Sequence, residues 1–241
     1  ICVRPSPENT EWGGPSAVLN IGMGEECHNA LSETHGREAA DALYLRFVQA
    51  YAVNVARLDP DMFESDMPTA EALRFALRAY EDETDEPFPQ GAERQLADVL
   101  RSMSRAWEGT SARLLRQAKG APVDAGLGLV VQAMALGLGR AESGSGVMQF
   151  VDSTTGKPGI NGRYLSQSQG REALARREGS LYLTRDPRGP SLEELCPGPF
   201  DELVRLGSVS RQGLREEMQI EFTIENGHLH VLDALKAVSY T

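Results

Sequence analysis

The amino-acid sequence predicts an α+β fold in three segments, residues 1–35, 36–117 and 118–241. In the middle segment, apolar residues recur at helical spacing. The third segment has Val- and Leu-rich runs between Gly- and Ser-rich loops, which is typical of strands. Near its end, Asn226-Gly227 separates two runs of alternating apolar and polar residues, the strongest short-range signal for a β-hairpin.

The first segment is predicted to be a strand followed by a loop. Ile1-Cys2-Val3 has strand character, and the next residues, around Pro5 and Trp12, are rich in Pro, Gly and Ser. A strand needs a partner, and the chain starts within one rather than at a Met. We therefore expect the sequence to continue from a longer protein.

Three amphipathic helices are predicted in the middle segment. The first runs from Arg37 to Leu58, the second starts at a capping Thr69 and ends at Pro87, and the third follows that proline. Their recurring apolar residues are Leu43, Phe47, Tyr51 and Val55, then Leu73, Leu77 and Tyr80, then Leu96, Leu100, Met103 and Trp107. This segment is expected to form a helical subdomain.

The third segment is predicted to be mainly β-structure. Gly126–Met134 is interpreted as a buried strand because it is almost continuously apolar. Further strands are expected at Val147–Val151 and Tyr164–Gln167, and helices near residues 191–218. The final hairpin pairs Gln219–Glu225 with His228–Ala234.

Composition excludes some classes of function. The formal net charge of −11 disfavours nucleic acid as a partner. No apolar run approaches the roughly 20 residues that span a bilayer, and no export leader is apparent, so no membrane partner is expected. Cys2, Cys27 and Cys196 are odd in number and lack metal-site spacing, which favours a reducing, cytoplasmic location.

Motifs that carry chemistry are mostly absent. There is no G-x-x-x-x-G-K-[ST] phosphate loop, and no G-x-G-x-x-G follows a strand. His228 and His230 lie two residues apart on one strand face and could hold a metal. Without a suitably spaced Cys or carboxylate beside them, a surface hairpin is the better interpretation.

Two carboxylates of the final hairpin form a candidate metal site. A two-residue turn at Asn226-Gly227 would put Glu221 and Asp233 on opposite faces, whereas a three-residue loop with a left-handed Gly227 would put them opposite each other on one face. Side by side, they would favour a hard divalent cation such as Mg²⁺. Two solvated surface acids are the alternative.

The chain resembles the nucleotide-binding domain of the pyruvate phosphate dikinase family along nearly its whole length. The matching pieces, in the family's order, are Ala17–Met23, Pro87–Pro89, Ala106-Trp107, Val131–Met134, Ser143–Val147, Thr155-Gly156, Gly162–Leu165, Gln169-Gly170, Pro199–Val204 and Glu217–Gly227. Each piece alone is weak. Their shared order is specific.

This resemblance implies an ATP-grasp-like fold, with two β-rich lobes and an inserted helical subdomain. Residues 1–35 would belong to the first lobe and 118–241 would form the second. The family domain binds ATP and Mg²⁺ and passes a phosphoryl group to a histidine on a separate domain, en route to phosphoenolpyruvate. By resemblance, Arg4 contacts the phosphates with a catalytic role, Gln132 and Met134 line the adenine pocket, and Glu221 is a catalytic and metal-binding carboxylate. Asp233 stands where the family has glutamine, and its place in the hairpin makes it the expected metal partner of Glu221.

Departures from the family pattern fall at the phosphate site. The family's glycine-rich loop is replaced by Pro5–Pro15, which includes the acids Glu8 and Glu11. The other replacements are Arg163 for Glu, Arg171 for Glu, Gln219 for Asp, Leu235 for Arg, and Phe150–Ser153 for Thr-Arg-x-Pro. Losing the arginine at 235 removes a fork-shaped donor to phosphate.

Three functions therefore remain open. The first is an active phosphotransfer domain, which Asp233 favours because a second acid strengthens cation binding. The second is a non-catalytic relative that acts as a nucleotide sensor or a structural and interaction module. The third is a domain in which Arg163 and Arg171 bind a different small anion, against the simpler interpretation that both lie on the surface.

Overall fold

A computed structural model gives the structure of the chain and describes residues 1–151, 156–169, 179–214 and 218–236. Helices and antiparallel sheets are both present, so the predicted α+β class is confirmed. The chain divides into two compact units, Ile1–Met134 and Ala135–Thr241. The ATP-grasp arrangement of lobes stays a prediction.

The first unit is mainly helical. Its longer helices are α1 Glu25–His35, α2 Arg37–Tyr51, α3 Thr69–Thr84, α4 Ala92–Glu108 and α5 Thr110–Ala118. A π-helical turn, Ala52–Ala56, extends α2, and the 3-10 turns Thr10–Trp12 and Pro60–Phe63 lie in connections.

An aromatic cluster holds the helices together. Phe88 lies in the connection between α3 and α4, and its ring contacts Tyr44, Phe47, Tyr51 and Tyr80 at centroid distances of 5.1–6.0 Å. These rings project from α2 and α3 at the spacing that the sequence indicates. Their edge-to-face contacts add to the burial of apolar area.

Gln95 is fully buried at the start of α4, although it is polar. Its amide nitrogen donates to the carbonyls of Met23 (2.8 Å) and Pro89 (2.6 Å), and its oxygen accepts from the Gly22 amide (2.7 Å). A buried amide is tolerated when its hydrogen bonds are made. The inner face of α4 therefore centres on Gln95 and Val99, and the predicted Leu96 and Leu100 are only half-buried.

A two-stranded ribbon completes the first unit. Strand β1, Cys2–Pro7, pairs antiparallel with β2, Leu127–Gln132. The predicted strand at 126–134 is confirmed, but its predicted burial is wrong, because Val130 and Val131 are 43% and 47% exposed. This ribbon lies within the first compact unit, which ends at Met134. The assignment of residues 118–241 to a second lobe stays a prediction.

Local differences from the sequence predictions have simple causes. Helix α1 was expected to be loop, because it carries few apolar residues and buries only His28. Thr69 is the first residue of α3 rather than its cap, and Pro68 precedes it. The first predicted helix ends at Tyr51, where the π-helical turn begins.

The second unit is built on a four-stranded antiparallel sheet of order β4-β3-β5-β6. Its strands are β3 Gly144–Val151, β4 Pro158–Ser166, β5 Met218–Glu225 and β6 His228–Lys236. The helices α6, Leu192–Leu195, and α7, Pro197–Leu214, separate β4 from β5. The predicted final hairpin is β5–β6.

One face of this sheet is the hydrophobic core. Alternate β5 residues Ile220, Phe222 and Ile224 pack with Leu203 of α7 and with Tyr164 of β4. The rings of Tyr164 and Phe222 lie parallel, 6.2 Å apart, and they flank β3 where its residues are glycines. A Cβ at Gly146 would meet the Phe222 ring, so the Gly-Ser-Gly run of β3 turns its glycines to the rings and Ser145 to the other face.

Across the described residues, no helix is both long and apolar enough to cross a membrane.

Phe88→Ala tests the aromatic cluster. The substitution should lower the free energy of unfolding by about 3–5 kcal/mol, because it leaves a cavity among four rings. Phe75→Ala is the matched control, since Phe75 is 43% exposed on α3 and should cost well under half as much. Chemical denaturation measures both, and equal losses would contradict the role given to Phe88.

Candidate functional site

The turn between β5 and β6 sets the geometry of the candidate site. Glu225 pairs with His228, so the turn has two central residues, Asn226 and Gly227. Their φ angles are +50° and +78°. Two left-handed residues are what a type I′ hairpin turn requires, and Asn-Gly is its preferred sequence.

A β-bulge then aligns the two candidate carboxylates. Phe222 pairs with Val231 and Glu221 pairs with Asp233, so Leu232 is an extra residue in β6. Of the two alternatives, the turn is the two-residue one rather than the three-residue loop, yet the two acids do not fall on opposite faces. The bulge adds the one residue that a longer loop would have added. Glu221 and Asp233 therefore lie directly opposite each other on one face.

The end of the hairpin is fastened to residues 136–143. The Glu225 carboxylate accepts from the Leu136 amide (2.8 Å), and the Asn226 side chain accepts from the amides of Arg140 (3.0 Å) and Ala141 (3.3 Å). The Gly227 amide donates to the carbonyl of Glu142 (2.8 Å). These bonds hold the turn, and with it the register of the two acids.

Glu221 and Asp233 lie on the sheet face opposite the hydrophobic core. We call it the polar face and define it by Ser145, Arg163, Glu221, Thr223 and Asp233, which the strand registers place on one side. Glu221 is only 6% exposed, Ser145 and Thr223 are fully buried, and Asp233 is half-buried. A small number of polar groups brought together in a shielded place is one feature of binding sites.

Two hydroxyl groups of the polar face differ in their partners. Ser145 Oγ lies 2.7 Å from Ser168 Oγ, which donates to the carbonyl of Leu165 (2.7 Å). Thr223 Oγ1 has no hydrogen-bond partner, the one such case among buried side-chain polar atoms in the described part of the chain. No sequence pattern singles out Thr223, because threonine is common in strands.

The residues present fit a hard divalent cation. Two carboxylates on neighbouring strands, with side-chain origins about 5 Å apart, suit Mg²⁺, which is held by one or two carboxylates together with waters and phosphate oxygens. Within the described ranges, no group of three or more His, Cys, Asp and Glu residues could hold a metal ion.

The two histidines of β6 lie at its start. His228 pairs with Glu225 and His230 with Thr223, and both histidines are exposed. The His228 Nδ1 atom lies 3.2 Å from the carbonyl of Asn226. This exposed placement agrees with the surface-hairpin interpretation.

The candidate nucleotide residues Arg4, Gln132 and Met134 all belong to the first unit. Cys2 pairs with Gln132 and Arg4 with Val130, so Arg4 and Gln132 share one face of the β1–β2 ribbon. Gln132 is exposed and Arg4 half-buried. Met134 Sδ accepts a hydrogen bond from the Asn20 amide (3.3 Å).

Cys2 lies beside Gln132 and Arg4 on this ribbon. Burial raises the pKa of the Cys2 thiol, and the positive charges of the chain's first amino group and of Arg4 offset this only in part. The thiol therefore stays protonated near neutral pH and behaves as a small apolar group.

Arg163 belongs to the polar face, whereas Arg171 lies outside the described residues. Four paired residues form one row across the sheet. In strand order they are Arg163 of β4, Val147 of β3, Glu221 of β5 and Asp233 of β6. This row thus carries a half-buried arginine at one end and two acids at the other. Arg163 is therefore not simply on an outer surface.

The geometry defines an α+β protein whose second sheet presents a pair of acids directly opposite each other on one face. No protein-family model matches the chain. The chain is 28% identical over 261 aligned positions to pyruvate, phosphate dikinase of Rhizobium meliloti (strain 1021), covering 96% of the chain and 29% of that protein. It is 26% identical to the Clostridium symbiosum enzyme of that name and 25% identical to the chloroplastic enzyme 1 of Zea mays, again over 96% of the chain.

These similarities confirm the resemblance to pyruvate phosphate dikinase that the sequence motifs predict. The chain spans about 29%, 28% and 26% of the lengths of these three relatives. The roles of individual residues stay predictions.

Gly227→Ala tests the turn that fixes the acid pair. Its φ of +78° is costly for alanine, so the substitution should lower the free energy of unfolding by about 1 kcal/mol. Gly213→Ala in α7 is the control and should be neutral or stabilising, because a Cβ there meets nothing within 4 Å and alanine favours a helix. Equal effects of the two substitutions in urea unfolding would contradict the turn assignment.

Proposed function

We propose that the chain is a nucleotide-binding domain that takes ATP with Mg²⁺, as a pyruvate phosphate dikinase-like region whose phosphotransfer activity is weakened or lost. One observation carries the proposal. The hairpin register sets Glu221 directly opposite Asp233 on a shielded polar face.

The cation would be held by Glu221 and Asp233. Both side chains supply only oxygen ligands, and their like charges disfavour the site without a cation. A bound Mg²⁺ would neutralise charge on the phosphates of the nucleotide. The chain's own contribution is to fix two carboxylates at one register position, which reduces the entropy cost of binding.

The nucleotide itself is assigned to residues of the first unit. We propose that Arg4 contacts the phosphates and that Gln132 and Met134 contact the adenine. Arg4 and Gln132 share one face of the β1–β2 ribbon, which supports a common ligand. In the whole protein, the phosphoryl group would pass to a histidine of a further domain, in a reaction leading to phosphoenolpyruvate. A cytoplasmic location remains a prediction from the cysteines.

Weakened activity follows from the residues around the phosphates. Glu8 and Glu11 are exposed in the segment that corresponds to the phosphate-covering loop of the family. Acids there repel phosphate, and Leu235 replaces an arginine donor. Phosphoryl transfer depends on cations placed around the developing charge, so each change lowers the rate.

A second candidate function, a non-catalytic structural or interaction module, is favoured by the fixed position of that loop. The Lys119 ammonium group donates to the carbonyl of Glu11 (2.8 Å), which ties the loop to the end of α5. Gly14 faces the Trp107 ring, which would lie 3.6 Å from a Cβ at that position. A loop docked in this way is less free to close over phosphates.

Titration of the chain with MgATP tests nucleotide binding. We expect the unchanged chain to bind MgATP with measurable heat. The affinity should fall at least tenfold in Glu221→Gln and in Asp233→Asn, because each substitution removes one charge from the cation site. Glu202→Gln is the matched control, since Glu202 is half-exposed on α7 and should bind as the unchanged chain does. Absence of binding at millimolar MgATP would overturn the proposal in favour of the structural module.

Labelled ATP tests the predicted loss of activity. The full-length protein, incubated with γ-labelled ATP and Mg²⁺, should transfer little or no label to histidine. Transfer as fast as in an active pyruvate phosphate dikinase assayed in parallel would contradict the loss.

A further inference from the structure

Thr223 is the feature of the polar face that the proposed function leaves unexplained. It is fully buried in the middle of β5, and its hydroxyl has no hydrogen-bond partner in the described residues. Burying a hydroxyl without a partner is unfavourable, and such atoms in folded proteins are usually met by water, an ion or a ligand.

The neighbouring hydroxyl cannot satisfy Thr223 by donation. Ser145 of β3 lies directly opposite Thr223. The proton of Ser168 goes to the carbonyl of Leu165, so Ser168 accepts the proton of Ser145. The proton of Ser145 is thus committed. Thr223 lies opposite Ser145 on one side and His230 on the other, and its hydroxyl is hydrogen-bonded to neither, so its partner must come from outside these neighbours.

The acid pair lies one pleat away on the same face. Residues two apart in a strand are separated by about 7 Å, so Thr223 and Glu221 point to the same side at that spacing. Mg²⁺ lies about 2 Å from its oxygen ligands and keeps several waters. A water on a cation at Glu221 can therefore come within hydrogen-bond distance of a hydroxyl on the next pleat.

We propose that the Thr223 hydroxyl hydrogen-bonds a water carried by the divalent cation of Glu221 and Asp233, and is thus a positioning residue of that site. This inference rests on the proposed function, because it needs a cation at the acid pair. The proposed role gives a reason for threonine at position 223, where valine, of nearly the same shape, would leave no unpartnered hydroxyl.

Thr223→Val separates this role from a purely structural one. Valine has nearly the same shape and removes the unpartnered group, so the cation-free variant should have a raised Tm. Mn²⁺ is the probe, with affinity measured by electron paramagnetic resonance of the free ion. The variant should bind Mn²⁺ about fivefold more weakly, as for one lost hydrogen bond.

Two further variants complete the experiment. Thr223→Ser keeps the hydroxyl and should retain Mn²⁺ affinity within about twofold of the unchanged chain. Thr223→Ala also removes the hydroxyl but leaves a smaller side chain. It replaces the valine variant if that variant does not fold, and circular dichroism checks the folding of each variant. The alanine variant should show the same fivefold loss of affinity.

The outcomes distinguish the two proposals. If the unchanged chain binds no Mn²⁺, with or without ATP, the cation site fails and the Thr223 inference fails with it. If the unchanged chain binds Mn²⁺ and the valine and alanine variants bind it equally well, the cation site stands and the role of Thr223 is overturned. If the valine variant has an unchanged or lowered Tm together with unchanged Mn²⁺ affinity, the hydroxyl is bonded to a trapped structural water and the role of Thr223 is overturned.

Discussion

The register of the β5–β6 hairpin is the constraint on which the candidate site depends. A two-residue Asn-Gly turn alone would pair Glu221 with Leu232 and send Asp233 to the core face, because side chains alternate along a strand. The extra residue at Leu232 restores the pairing of Glu221 with Asp233. Hydrogen bonds from backbone amides to the side chains of Glu225 and Asn226 hold the turn, and the turn sets the register of the strands.

The two faces of this sheet differ in chemistry: one forms the hydrophobic core and the other carries the polar groups of the candidate site. Its core face is closed by Phe222 and Tyr164, and the β3 glycines leave room for these rings. The polar face carries Ser145 of β3 and the two acids of the hairpin. A shift of register by one residue would expose the rings and bury the acids in the core, so packing of the core fixes the position of the site.

Much of the fold could be predicted from the sequence, since helical periodicity located α2–α4 and Asn226-Gly227 located the hairpin. Helix α1 could not be, because it has no apolar stripe: its one buried side chain is the polar His28, which lies 2.6 Å from the Asp41 carboxylate of α2. The acid pair could be named, but the bulge that aligns it could not, since no residue type marks Leu232 as extra. Thr223 could not be found either, because its unmet hydroxyl is a property of packing. Resemblance supplied Arg4, Gln132 and Met134, whose chemistry alone would not have singled them out.

A double-mutant cycle measures the central claim, that Glu221 and Asp233 bind one cation together. Mn²⁺ affinity would be determined for Glu221→Gln, Asp233→Asn, the double variant and the unchanged chain. If both acids hold the same ion, the two losses of binding free energy are coupled, and the double variant loses less than their sum. Losses that add without coupling, or an affinity that neither substitution changes, would show that the two carboxylates do not form a common site.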